Sequence, residues 1–572
     1  MKTKFMTLAA IVATSALTIS CIEEIQPQSS TVTVEQAANA PGSYDNFVNA
    51  ITSSLCGQFT YSAPDTDPYD FGYPSFFLQR DVMGQDIVPV GDNNWFSTWY
   101  EAFTYLGPTY GRTQVPWTYY YKWIKNCNTV LQMAGENPSA DMITGAGIAH
   151  AMRAMFYLDL ARMYANKTYG LDPQAETVPI ITENTKASEA TTNARATNEK
   201  MFQFILEDLD KAEVELANYQ RTDVYTPNLN VVYGLKARAY LTMEIWDKAE
   251  QYAKLAMDGF TVMTQAEWTS RETGFNTPNS SWLFGLTFKS DDPNILLNDA
   301  DSSWGSQMII EITSVSGCGY AANYGDPNLI DRHLYETIPA TDFRKNVFVD
   351  FAIDELGTQA DKLTALQAYS DYPAAVYNAG MSSSYAHVGG LEVKFRPAGG
   401  AAGHDDQYIG FTVAVPLMRC EEMKLIEAEA AGMQELARGK QLLETFAKTR
   451  DASYTYGTHN EAYGNTATSE FQNEIWWQRR VELWGEGFAT FDIKRLNKGI
   501  IRSYTNSNHM ETMRFNTQSA PDWMNLCIVQ TETNYNTACT NNPVAARPDG
   551  DSPEFQWQFN CNDLLLKTSK LL

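Results

Sequence analysis

Apolar residues recur at three- and four-residue spacing along much of the chain. Ile148, Met152, Met155, Phe156, Leu160 and Met163 fall on one side of a helix, and so do Met201, Ile205, Leu209, Ala212 and Leu216. Over residues 231–257 the spacing predicts two helices back to back, with Trp246 near the turn. Ala237, Tyr240, Ala249 and Ala256 sit there at offsets like those of the tetratricopeptide pattern. Small alanines let paired helices approach closely, and aromatic rings fill the groove between them. A second pair is predicted over residues 420–450, with Met423, Ile426 and Ala430 on one face. Elsewhere the period changes to two. Trp282, Phe284, Leu286 and Phe288 alternate, which predicts a strand over residues 281–288, and residues 308–313 read as another. Residues 378–408 are rich in Gly, Ala and Ser and read as loop. The predicted fold class is mainly α: a tetratricopeptide-like scaffold of helical pairs with long loops and a few short strands, in a single compact domain over residues 41–572.

The start of the chain has a different pattern. Lys2 and Lys4 precede an apolar run over residues 5–19 that is too short to span a bilayer, and Ser20-Cys21 follows. Residues 1–20 read as a signal peptide. The stretch Leu17-Thr18-Ile19-Ser20-Cys21 resembles a bacterial lipoprotein cleavage site, at which Cys21 would be lipidated on sulfur and become the new N-terminus. Glu23 and Glu24 resemble the surface-export signal of Bacteroidetes lipoproteins. Residues 21–40 read as a lipidated, polar tether. No later run of about eighteen apolar residues follows.

Composition narrows the function classes. The 572 residues carry a formal charge of −26, a surface that repels phosphate backbones and argues against nucleic acid as a partner. Eight cysteines include no Cys-x-x-Cys pair; Cys527, Cys539 and Cys561 cluster late, as one disulfide or as free thiols. The six histidines make no His-x-x-x-His pair, and neither a Gly-x-Ser-x-Gly elbow nor a phosphate loop is present. Asp65, Asp67 and Asp70 alternate but lack the glycine and terminal glutamate of a calcium-binding loop, and a solvated loop is the simpler account. No catalytic residue, metal site or cofactor is assigned.

Several runs together carry a family resemblance. Trp99-Tyr100 through Trp123-Ile124-Lys125-Asn126-Cys127-Asn128 resembles the first helices of the SusD/RagB family of outer-membrane nutrient-binding lipoproteins of Bacteroidetes. Ala151-Met152-Arg153-Ala154-Met155-Phe156-Tyr157-Leu158 is similar to that family's Arg-Ala-x-x-Tyr-x-x-Leu helix. Arg419 to Ala430 matches a late helix ending in Ala-Glu-Ala. Arg479-Arg480-Val481-Glu482-Leu483, Glu486-Gly487 and Phe491-Asp492-Ile493-Lys494-Arg495 form the most specific run, and Cys527 departs from the proline common in the closing motif. The resemblance implies helical pairs of tetratricopeptide type and a lid-like partnership with a SusC-like TonB-dependent barrel transporter. It also implies capture of oligo- or polysaccharide on aromatic loops without catalysis, at the outer membrane and facing the exterior. A peptide-binding lid, as in the RagB branch, is the alternative.

Aromatic residues make up 12% of the chain, with 31 Tyr and 13 Trp. Rings on polar loops are harder to explain as core than rings on helices. Trp304, Tyr320 and Tyr324 in the Asp/Asn/Ser/Gly-rich stretch are therefore candidate stacking platforms for sugar. Trp95 and Tyr73 come from an early polar loop that could approach the same face, and Asn93, Asn94 and Arg80 are candidate hydrogen-bonding groups. The Arg479–Arg495 run has the spacing of a self-paired network that fixes its helix against neighbours.

Overall fold

The computed structural model describes residues 42–58, 67–90, 94–101, 106–314, 319–382, 386–544, 546–548 and 552–557. Cys21, the signal peptide, the tether, Asn93, Asp65 and Cys561 lie outside the described residues. The helices used below are α1 (Ser43–Ser53), α2 (Ser75–Val82), α3 (Gly111–Ala134), α4 (Ile143–Tyr164), α5 (Asn198–Glu215), α6 (Leu229–Met243) and α7 (Trp246–Ala256). They continue with α8 (Trp304–Met308), α9 (Gln407–Gly410), α10 (Cys420–Gln434), α11 (Leu436–Ala447), α12 (Glu470–Glu482) and α13 (Ala489–Arg495). The strands are β1 (Ile87–Pro89), β2 (Trp282–Thr287), β3 (Asn328–Ile330) and β4 (Ala414–Arg419).

Neighbouring helices pack in the order α3, α4, α5, α6, α7, α10, α11, α12, a continuous stack. Both predicted pairs are present, as α6–α7 and α10–α11. Trp246 opens the second helix of the first pair, and Glu244 makes the turn before it with a φ of 60°. The buried Ala249, Ala253 and Ala256 keep α7 close to its neighbours. In the other pair, a methyl placed on Gly439 would fall onto the Gly432 backbone, so α10 and α11 approach at the closeness only glycine allows. Local sequence sets several starts. Thr197 and Asn228 cap α5 and α6, and Ser469 forms a capping box with Gln472 at α12.

The chain leaves the stack after α7 and rejoins it at α10. The excursion is closed at its base, because β2 and β4 pair antiparallel, with Trp282 opposite Arg419 and Thr287 opposite Ala414. A second short ladder, β1 with β3, pairs Ile87 with Ile330 and ties the early segment to this excursion. The loops between α7 and α10 are thus held at both ends and along one side.

Three expectations change. Residues 309–314 form no ladder; α8 occupies residues 304–308, and Thr313 donates one backbone bond to the His404 carbonyl. The 378–408 stretch is not all loop, since helices cover Pro373–Met381, Gly400–Asp405 and Gln407–Gly410. Finally, α4 has no solvent face. From Gly145 to Tyr164 it is buried on every side, and its polar residues are neutralised rather than exposed. Arg153 donates to Asp208 at 2.8 Å, and Asp159 accepts from Arg80 and Arg162.

Buried ion pairs join distant parts of the chain. Asp86 pairs with Arg480, Arg238 with Glu422, and Arg495 with Glu429. Glu482 lies among Arg344, Arg419 and Arg450 at 3.0–3.4 Å. The Arg479–Arg495 run is this buried network. Among the described residues no helix is long and apolar enough to cross a membrane. Cys527 and Cys539 are buried free thiols.

Candidate functional site

The excursion and the early loop after β1 bring three of the predicted rings together. Trp95 and Tyr320 meet edge to face, 6.0 Å between centroids at 79°, and Tyr320 and Tyr324 lie 5.0 Å apart at 39°. Trp95 and Tyr320 are half-buried, and Tyr324 is 46% exposed. Tyr69 continues the row inward, 6.1 Å from Trp95, and the Arg112 guanidinium lies 5.2 Å from the Tyr69 ring. Such rings offer broad apolar faces with a polar rim, the chemistry that stacks on the C–H face of a pyranose.

Backbone bonds fix the loop that carries Tyr320 and Tyr324. Gly319 takes a φ of 81°, and a side chain there would meet the Phe411 ring at 3.1 Å. Its N–H donates to Asp301 Oδ1 at 3.0 Å, and the Tyr320 N–H donates to Ser306 Oγ at 3.0 Å. Asp326 N–H returns to the Tyr320 carbonyl, closing the loop. Burial pushes the Asp301 carboxyl up to about 6, against the lowering effect of the Gly319 N–H and with nearby Asp299 adding to the rise. Just before Asp301, Asn298, Asp299 and Ala300 hold φ values of 50°, 54° and 61°, three successive left-handed residues with no glycine. Asp299 accepts a hydrogen bond at 2.9 Å from the hydroxyl of Tyr408 on α9.

The other described candidates, Trp304, Tyr73, Arg80 and Asn94, are buried. Trp304 is 1% exposed, with its ring edge-on to Phe395 at 5.1 Å and to Phe77 at 6.2 Å; it offers no face to solvent. The Tyr73 hydroxyl donates to Asp159 at 2.6 Å in the interior. Arg80 is buried, pairs with the same carboxylate and lies over Phe491 at 4.7 Å. Asn94 is tied into the backbone of both loops. Its Nδ2 donates to the Asp326 carbonyl at 3.2 Å and its Oδ1 accepts from the Phe96 N–H, which links the Trp95 loop to the Tyr324 loop. Asp67 and Asp70 accept hydrogen bonds from the hydroxyls of Tyr69 and Tyr119. Among the described residues no group of three His, Cys, Asp or Glu is placed to hold a metal ion.

Comparison with known proteins places the fold. The family model described as "Starch-binding associating with outer membrane" matches residues 80–241, and that of the SusD family matches residues 364–546, together more than half of the chain. The chain belongs to the SusD/RagB family. A SusD-like carbohydrate binding protein from Bacteroides vulgatus is 23% identical, with 87% of this chain and 97% of that one covered and a TM-score of 0.66. A SusD superfamily protein from Bacteroides thetaiotaomicron is 20% identical over 90% and 100% of the two chains, with a TM-score of 0.62. Surface glycan-binding protein A of the same organism, solved in complex with laminarihexaose, is 17% identical over 88% and 99%, with a TM-score of 0.62. No curated protein matches the chain in sequence.

Within this SusD/RagB chain, the sequence reading missed Tyr69, Tyr408 and Asp301. Tyr69 sits in the early loop beside Tyr73 and carried the same signal. Tyr408 ends the Gly/Ala-rich stretch, where nothing but the ring itself marks it. Neither family model spans residues 242–363, so the segment that carries Tyr320 and Tyr324 lies where the family match is silent.

Proposed function

We propose that the protein is a cell-surface lipoprotein that captures oligo- or polysaccharide on the Trp95–Tyr320–Tyr324 face. It then hands the glycan to a SusC-like TonB-dependent barrel transporter, without catalysis. One observation carries the reading: rings from two loops far apart in sequence are held side by side by paired backbone, with Tyr324 open to solvent. Family membership and the glycan-bound relative support it. The outer-membrane association in the family description fits an anchor at Cys21, with Glu23 and Glu24 directing the chain outward.

Affinity electrophoresis of the soluble chain against neutral polysaccharides tests the capture step. Retardation by at least one glycan is expected. Tyr324→Ala is expected to weaken that binding about tenfold, the order of one stacked ring, while melting at the wild-type temperature. A folded protein that no glycan retards would overturn the reading. Cys21→Ser is expected to abolish palmitate labelling and release the protein from the membrane fraction.

A further inference from the structure

A small internal cavity lies where α4, α6, α10, α12 and α13 meet. Four guanidiniums, those of Arg162, Arg238, Arg479 and Arg495, wall it together with the carboxylates of Glu422 and Asp492. It has room for a single small occupant. The carboxylates are already engaged. Glu422 accepts both Nε and Nη2 of Arg238 at 2.7 Å, and Asp492 accepts Arg479 on one oxygen and Arg495 on the other. The donors are not. Arg162 Nε and Arg479 Nη1 are wholly buried and have no hydrogen-bond partner. A buried cationic N–H without an acceptor costs more than a neutral one, so the unmet demand here is for an acceptor.

The charges behind the wall point the same way. Asp159 is shared between Arg162 and Arg80, and Glu429 is taken by Arg495. Five guanidiniums therefore face four carboxylates. Of the remaining acids nearby, burial pushes the Asp81 carboxyl up to about 7 while it accepts the Gly487 and Ala489 N–H groups, and burial raises Glu244. Lys494, pushed down to about 7 by burial, spends its hydrogens on the carbonyls of Arg162 and Ala165. Phe491, with Arg162 stacked 3.7 Å above its ring, and Phe488 supply the apolar side of the cavity.

We infer that this cavity holds a compact monovalent anion, chloride, which accepts the orphan hydrogens of Arg162 and Arg479 and ties α4 to the α12–α13 corner. A phosphate is too large for the space, and water is the competing occupant, able to donate to the second lone pairs of the Glu422 and Asp492 oxygens.

Crystals of the mature chain grown in sodium bromide test the assignment directly. An anomalous peak within hydrogen-bonding distance of Arg162 Nε and Arg479 Nη1 is the expected result; density without anomalous signal there means water and overturns it. In solution, the melting temperature is expected to rise by about 1 °C per tenfold increase in chloride, at ionic strength held constant with gluconate. Equal melting in the two salts would also overturn it. Arg479→Lys keeps a cation for Asp492 but removes Nη1, and is expected to abolish the chloride dependence. The bromide measurement on the unmodified chain decides the matter if that variant does not fold.

Discussion

Two aromatic residues of the same stretch have opposite fates, and mutation should separate them. Trp304 fills a space between Phe77 and Phe395, so Trp304→Ala is expected to lower stability by about 3–5 kcal/mol through the cavity it leaves. Under conditions where that variant is folded, glycan affinity should stay near wild type; chemical denaturation and affinity gels on one preparation give both answers. Tyr324→Ala should do the reverse. The sequence could not tell these rings apart. Both sit among Asp, Asn, Ser and Gly, and the partners that bury Trp304 lie on other segments that no local pattern connects to it. Trp95, Tyr320 and Tyr324 lie side by side, with Trp95 and Tyr320 half-buried and Tyr324 exposed, so these three candidates differ from Trp304 in keeping part of each ring outside the core. Tyr73 reads as a loop ring and Arg80 as a hydrogen-bonding group for ligand, yet Asp159, far along the chain, draws both into the core.

At the scale of helices and strands, periodicity served well where one face is wet and less well where none is. The α6–α7 and α10–α11 pairs followed from small and apolar spacing alone. The α4 helix did not, since its buried polar side is stabilised by partners on other elements. Glu482 on α12 illustrates the cost of such burial. Burial pushes its carboxyl up, but Arg450, Arg344 and Arg419 outweigh that and hold it at about 2. Its folded value is below the ordinary one, so the ionised form stabilises the fold at neutral pH. That contribution is complete above about 4.5 and is lost as pH falls toward about 2. Glu482→Gln should therefore cost about 3–5 kcal/mol at pH 7, because three guanidiniums lose their shared counter-ion. The gap between variant and wild type in acid unfolding followed by circular dichroism should close toward pH 2. A purely steric test sits on the next pair: Gly439→Ala has no room against the Gly432 backbone and should destabilise by about 1–3 kcal/mol, seen as a lower denaturant midpoint with an unchanged slope.

For the molecule as a whole, the helical stack is the frame and the excursion between α7 and α10 carries Tyr320 and Tyr324. The whole chain carries a formal charge of −26. Polymers of uronic acid should therefore bind more weakly than neutral glycans of the same linkage and length, with a gap that narrows as salt screens the repulsion; titrations at low and high ionic strength would show it.

The pairing of Asp86 with Arg480, 394 residues later, and of Arg238 with Glu422, 184 residues later, has a consequence for biogenesis. A nascent chain that has emerged only as far as α7 carries guanidiniums and acids destined for the interior whose counter-ions have yet to be translated. Its early half is expected to reach full stability only when those partners arrive, and limited proteolysis of a chain ending after α7 would show it as more rapid cleavage than in the whole protein. That delay is compatible with the export to the cell surface proposed above.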